Sequence, residues 1–302
     1  MFFALMIVRN EANVLPFSLG HLLYTVNVDR VIVADNGSSD DTRSILARAV
    51  KLDDRVRWTD ASGPFDQQGI VTGIAQDAYR SGAKWLLPTD ADEFHWLKAP
   101  LPAFDADGVG AWEIQVTNFL QFGGVSRETG RSLRTMCFRT VPVGSTAEAH
   151  RMVAEKKIAF VQIRYPPKLV VRATKDLIVV KGNHAADHLA GEVRKTSEIE
   201  ILHAPMRASD SIYRRRQHAG RVQSDDPEIS WHLRRLLTID GDGQLEAEWR
   251  ANSIRWGRTG PAGSRVFARP DFRVTRIGLR QAAFAKAVGA SSFESTLGLP
   301  RY

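Results

Sequence analysis

Apolar residues along the first hundred positions alternate between short continuous runs and helical spacing. Phe2 to Val8 is unbroken by a polar side chain, the pattern of a strand buried on both faces of a parallel sheet. Val14, Phe17, Leu19, Leu22 and Leu23 follow at helical spacing, with Asn10 or Asn13 as cap and Pro16 in the first turn. A second unit repeats the plan: the run Val31 to Ala34, then Ile45, Leu46, Ala49 and Val50 behind a cap at Ser39 or Asp40. Asn36-Gly37 marks a sharp turn between them. Val56 to Trp58 and a helix from Ile70 to Tyr79, closed by Gly82, form a third unit, and Lys84 to Pro88 a fourth strand. This succession predicts an α/β sheet.

Beyond Pro100 and Pro102 the pattern changes. Ala111 to Phe119 alternates as a strand, and residues 123–132 are rich in Gly, Ser and Thr and read as a loop. Met136 to Arg139, Lys168 to Arg172, Ile178 to Val180 and Ile199 to His203 are further strand-like runs. Mixed or antiparallel strands with long loops suit the wall of a substrate cleft. From Asp210 the spacing is helical and presents Arg214, Arg215, Arg216, His218 and Arg221 as a basic stripe. Trp231, Leu233, Leu236 and Leu237 predict another helix, and residues 240–302 read as a peripheral tail with short helices.

Composition narrows the class. The 302 residues are 43% hydrophobic and 25% charged, ordinary for a globular protein with a sizeable core. Cys137 is the only cysteine, which excludes a disulfide framework and speaks against a cysteine-based zinc site. The apolar start is too short to span a bilayer, lacks a basic region before it, and ends at Arg9-Asn10-Glu11. No later run reaches the roughly 18 apolar residues a spanning helix needs. A cytoplasmic protein is expected, with peripheral contact at the inner membrane face as an extension of that reading.

Charge sharpens the division. Residues 1–100 carry 10 basic and 13 acidic side chains, against 31 and 21 in the remainder, for a total of +7. A basic second half beside an acidic first half fits phosphate, an anionic acceptor or a lipid surface. Nucleic acid is not the expected partner, because no reader motif is present. The stripe at Arg214–Arg221 reads equally well as a solvated helix face.

The candidate chemistry gathers where the fourth strand emerges. Trp85-Leu86-Leu87-Pro88-Thr89 is followed by Asp90-Ala91-Asp92-Glu93-Phe94, three carboxylates at the carboxyl edge where open α/β sheets bind ligands. In extended backbone Asp90 and Asp92 point the same way. Two convergent carboxylates call for a cation, and a hard divalent metal carrying phosphates is the natural one. A polar loop that only caps the next element is the alternative. No Gly-x-Gly-x-x-Gly follows either early strand, so the dinucleotide fingerprint is absent.

These residues resemble glycosyltransferase family 2, and within it the bacterial subgroup with an Asp-x-Asp-Glu-Phe motif. Met6-Ile7-Val8-Arg9-Asn10-Glu11 resembles the opening strand and turn, Val33 to Thr42 the nucleotide-binding loop, and Asp90 to Phe94 the metal motif. Gly182-Asn183-His184 and His203-Ala204-Pro205-Met206-Arg207-Ala208-Ser209 resemble its later histidine motifs, although Ala208 interrupts the usual Arg-Ser pair. The resemblance covers about residues 3–220. It implies an α/β fold of the GT-A type: a single nucleotide-binding, Rossmann-like domain with a central, mostly parallel sheet. A helical extension would follow. On that plan residues 1–208 form the catalytic domain, with a donor half at 1–100 and an acceptor-side half at 101–208, and residues 209–302 are the basic extension.

By the same resemblance the chain is a metal-dependent glycosyltransferase of hexosyltransferase type, using Mn²⁺ or Mg²⁺ and a UDP- or GDP-sugar donor. It would act with inversion on an acceptor hydroxyl of a glycan or lipid-linked saccharide. Asp35 would meet the base, and Arg9, Glu11, Asp90 and Arg207 the rest of the donor. Asp92 and Asp90 would serve the metal, with His203 and then His184 as further ligands. Glu93 is the candidate base beside Asp92, with Glu113, Asp187 and Glu200 as rivals the sequence does not rank. A nucleotidyltransferase on a related scaffold, or a non-catalytic binder of carbohydrate or nucleic acid, are the alternatives.

Overall fold

The computed structural model describes residues 1–143, 146–219, 231–255, 258–259 and 268–290. Strand β1 (Phe2–Val8) occupies the middle of the sheet and is buried on both faces. Its residues Phe2, Ala4, Met6 and Val8 meet one cluster of helices, while Phe3 and Leu5 meet another on the opposite face. That period of two is what an unbroken apolar run encodes.

The first face is covered by α1 (Leu15–His21), which continues as a π turn over Leu22–Val26, and by α2 (Thr42–Leu52). The second is covered by α3 (Gln67–Arg80). With β2 (Arg30–Asp35), β3 (Val56–Asp60) and β4 (Trp85–Thr89) they give a parallel order β3-β2-β1-β4.

After β4 the chain turns directly into β5 (Glu93–Leu97), then β6 (Val109–Leu120), α4 (Gly130–Arg134), β7 (Phe138–Thr140) and α5 (Thr146–Ala154). Next come β8 (Lys168–Arg172), β9 (Ile178–Val179), β10 (Ala186–Asp187) and β11 (Glu192–His203). Strand β8 lies antiparallel between β4 and β6, and β11 runs parallel to β6 and antiparallel to β5. The fold is α/β with a largely parallel central sheet and a helical C-terminal extension: α6 (Ser209–Ala219), α7 (Trp231–Gly241), α8 (Leu245–Ala251) and α9 (Leu279–Ala287).

Several details depart from the sequence expectation. Asn10 does not cap α1, whose first turn holds Pro16 and begins at Val14 without a side-chain cap. Asn10 instead adopts a left-handed conformation (φ 55°), and its Oδ1 accepts the Ser39 N–H at 2.7 Å, which ties the first loop to the second. Strand β5 departs from the expectation of a turn and helix after β4, because its polar–apolar alternation spans five residues and Glu93 and His95 deny it an apolar run. Helix α9 is not peripheral: Phe284, Ala285 and Val288 belong to the main core, and Gln281 Nε2 donates to Phe17 O at 3.1 Å. Among the described residues no helix is long and apolar enough to cross a membrane.

Candidate functional site

The carboxyl ends of β1, β2 and β4 open on one edge, and the polar residues predicted from the sequence are spread along it. At the β2 end Asp35 is fully buried. Arg43 Nε donates to its Oδ2 at 2.6 Å, and the Ser38 N–H lies 3.2 Å from the same oxygen. Gly37 provides the expected turn with φ 74°. Arg9 Nη1 donates to the Asn36 carbonyl at 2.8 Å, and the Glu11 N–H to Thr42 Oγ1 at 2.9 Å. These bonds lace the two loops into one wall.

Asp90 and Asp92 do not share a direction. Residues 90–92 form a turn between β4 and β5, so the alternation of a strand does not apply to them. Asp90 Oδ2 accepts from Lys168 Nζ at 2.6 Å, and Lys168 also lies 2.6 Å from Glu93 Oε1. The second Glu93 oxygen accepts the Asp90 N–H at 3.0 Å. Glu93 and Lys168 are both buried. Burial pushes the Glu93 carboxyl up despite Lys168, whereas Asp90 and Glu93 outweigh burial at Lys168 and hold its ammonium above the ordinary lysine value.

Asp92 faces the second half of the chain. Its Oδ2 lies 3.2 Å from Arg215 Nη2, 3.4 Å from Arg207 Nη1 and 3.5 Å from His203 Nε2. Burial opposes its ionisation, but His203, Arg207 and Arg215 together hold the carboxyl well below the usual carboxylate range. The strand register brings these groups together. β5 begins where β11 ends, so His203 stands opposite Glu93 on one side and opposite Asn118 of β6 on the other.

Arg207 is bonded to Glu128, to the Ala204 carbonyl at 3.0 Å and to Glu11 Oε2 at 3.3 Å. Burial pushes the Glu11 carboxyl up to about 7 against the pull of Arg207. The Tyr165 ring packs edge-on against His203 at 5.2 Å, and burial pushes its hydroxyl up to about 12.

A divalent cation is the group the resemblance implies, and two of its candidate ligands, Asp92 and His203, are brought within 3.5 Å of each other. Asn118 Nδ2 donates to Val161 O at 3.0 Å, which turns Asn118 Oδ1 toward His203 Nδ1 at 2.8 Å. In the neutral ring Nδ1 therefore carries the proton, and the Nε2 lone pair faces Asp92 Oδ2. Asp90 is directed to Lys168 instead. His184 is held apart from this pair, with Nδ1 2.9 Å from the Pro167 carbonyl. Among the described residues no set of three or more His, Cys, Asp or Glu side chains is grouped to hold a metal.

Residues 4–109 match Glycosyl transferase family 2. The matched stretch, about a third of the chain, holds Arg9, Glu11, Asp35, Asp90, Asp92 and Glu93, and relates this part of the fold to the family 2 glycosyltransferases. No curated protein matches the sequence.

Among solved structures, S. aureus TarS in complex with UDP-GlcNAc is similar at 14% identity over 78% of this chain and 70% of that one, with a TM-score of 0.41. The mannosyltransferase PcManGT from Pyrobaculum calidifontis, in complex with GDP-Man and Mn²⁺, gives 15%, 83%, 74% and 0.40 for the same measures. Glucosyl-3-phosphoglycerate synthase from Mycobacterium tuberculosis, with Mn²⁺, UDP and phosphoglyceric acid, gives 13%, 91%, 91% and 0.35.

Outside the family 2 match lie residues that sequence reasoning missed or misread. Lys168, Tyr165, Glu128 and Asn118 carried no motif. The basic stripe is not a free face: Arg214 pairs with Glu128, Arg215 with Asp92, and Arg216 with Asp240. The His218 side chain and Arg221 lie outside the described residues. Of the rival bases, Glu200 is bonded to Thr117 Oγ1 at 2.5 Å and to Arg273 Nη1 at 2.6 Å. Glu113 lies 3.8 Å from Lys195 Nζ.

Proposed function

We propose that this chain is a glycosyltransferase that moves a hexose from a UDP- or GDP-sugar to an acceptor hydroxyl on a glycan or lipid-linked saccharide, with inversion. The observation that carries the reading is the grouping of His203, Arg207 and Arg215 on Asp92 Oδ2 at the sheet edge, beside the loops holding Asp35, Arg9 and Glu11. That arrangement offers one carboxylate–imidazole pair for a cation and guanidinium groups for a diphosphate.

In this reading the acceptor oxygen attacks the anomeric carbon as the bond to the diphosphate oxygen breaks, and the hydroxyl proton is released to solvent. Asp92 and His203 are the residues that would hold Mn²⁺ or Mg²⁺. When bound, the cation neutralises charge growing on the leaving diphosphate. Arg207, and Arg9 across the cleft, orient that diphosphate through N–H donors. Asp35 holds Arg43 and the Ser38 N–H at the edge assigned to the base. Both Glu93 oxygens are occupied by Lys168 and the Asp90 N–H. We therefore place Glu93 in a positioning role at the turn rather than in proton transfer.

The basic second half faces the acceptor side, where an anionic or lipid-linked saccharide would be favoured. Binding of UDP, GDP and their sugars, measured with Mn²⁺ and with EDTA, tests the donor assignment. Release of nucleoside diphosphate marks glycosyl transfer, and release of pyrophosphate would mark nucleotidyl transfer instead. If no nucleoside-diphosphate sugar binds under either condition, the reading fails.

A further inference from the structure

The groups that meet at Asp92 Oδ2 are not held equally. Arg207 is buried and pinned by Glu128, Glu11 and the Ala204 carbonyl, and His203 is fixed through Asn118 inside the sheet. Arg215 reaches Asp92 from helix α6 with its side chain 21% exposed, and it is also hydrogen-bonded to the Tyr165 side chain. Arg214 and Arg216, to either side, anchor the same helix through Glu128 and Asp240. Helix α6 is thus fixed by its flanking arginines, while the Arg215 side chain, on Asp92 and Tyr165, is the more exposed of the two guanidinium groups at Asp92. A guanidinium and a divalent cation on one carboxylate oxygen repel each other as like charges. Arg207 lies on the same oxygen at 3.4 Å but is buried and pinned, so Arg215, more exposed and at the shorter distance, is the one to give way.

We propose that Arg215 is a place-holding cation that becomes a diphosphate ligand. Without ligands it neutralises Asp92. When a divalent cation takes Asp92 Oδ2, the displaced guanidinium binds the oxygens of the nucleoside diphosphate. This rests on the assignment of Asp92 and His203 to the cation. The exchange makes cation and nucleoside diphosphate bind with positive coupling, and such coupling is reciprocal. Either ligand alone binds weakly, because the cation must evict Arg215 and the diphosphate finds that arginine engaged.

The test is a titration with Mn²⁺ alone and with Mn²⁺ in the presence of UDP or GDP, followed by the electron paramagnetic resonance of free Mn²⁺. It compares the wild type with Arg215→Met, Arg216→Met and Asp92→Asn, each checked by thermal melting. Arg215→Gln replaces the methionine variant if that one does not fold. Arg215→Met is expected to bind Mn²⁺ alone roughly fivefold or more tightly than wild type, with most of the tightening by UDP or GDP lost, within the usual range of coupling between sites. Arg216→Met should match wild type, and Asp92→Asn should lose the site.

Equal or weaker Mn²⁺ binding by Arg215→Met, with Asp92→Asn still defective, overturns the role of Arg215 and leaves the cation site standing. Equal binding by wild type and Asp92→Asn, or no binding by wild type and Arg215→Met, removes the cation site and the exchange together.

Discussion

Lys168 shows how a single side chain decides what its neighbours can do. It lies 2.6 Å from both Asp90 and Glu93 and is buried. Removing it leaves Glu93 charged in a dry site or forces it to take up a proton. Breaking a buried pair in this way costs about 3–5 kcal/mol. Urea unfolding of Lys168→Met should show a loss of that order, and the double variant with Glu93→Gln should recover much of it. Strictly additive losses would mean that the two do not act as a pair.

Glu11 supplies a second test at this scale. Its carboxyl is pushed up to about 7 by burial, so it ionises as the pH rises through neutrality. The new anion competes for Arg207, which the proposed function assigns to the diphosphate. The terminal phosphate of UDP or GDP ionises in the same window in both proteins, so binding in EDTA should weaken between pH 6 and 8 in wild type relative to Glu11→Gln. Parallel profiles would remove Glu11 from the donor site. The places of Asp35 and His203 at strand ends were legible in the sequence because each closes a strand-like run, and Asp92 and Arg207 lie a few residues beyond such a run. Lys168 and Glu128 were not, since a lone charge at a strand start or in a loop says nothing about the acid or base it will meet.

At the level of elements, the register of β5 on β11 does what sequence periodicity did not reveal. The short β5 segment reads as polar and aromatic, yet its antiparallel pairing sets His203 against Glu93. The same strand is tied to α1 through His21, whose Nε2 lies 2.9 Å from both the N–H and the carbonyl of His95. Burial lowers the His21 pKa to about 4 and that of His95 to about 3. Below the unfolded value of about 6.5, the unfolded chain therefore binds protons that the native state refuses.

Stability from these rings is complete above that value and is lost as the pH falls toward their folded values. At about 1.4 kcal/mol per pH unit and ring, His21 alone accounts for a loss of a few kcal/mol between pH 6.5 and 4. Urea midpoints should fall over this window, and fall less in His21→Gln. An identical decline in both would show that His21 is not the group concerned. The early βα units were legible because buried parallel strands and amphipathic helices each carry a period. The alternation of β5 is too short to stand out, and helix α9 takes its place from tertiary packing that the local sequence does not announce.

Across the whole molecule, the charge division seen in the sequence becomes a meeting of the two halves at one edge. Glu11 and Asp92 come from the acidic first hundred residues, and Arg207 and Arg215 from the basic remainder. The division of the chain at residue 208 stays a proposal, and α9 qualifies it by returning to pack on α1 in the main core. Any truncation that removes α9 therefore uncovers α1 and the core beside it.

The central claim is that this edge cleaves a nucleoside-diphosphate sugar with the help of Asp92. The most direct measurement is release of UDP or GDP from a panel of their sugars with Mn²⁺ present, comparing wild type with Asp92→Asn of matched melting temperature. The account predicts release from at least one donor, abolished by EDTA and reduced about a hundredfold or more by the substitution, the scale of losing one electrostatic stabiliser of the leaving group. Cleavage of no donor, or equal rates for the two proteins, would contradict it.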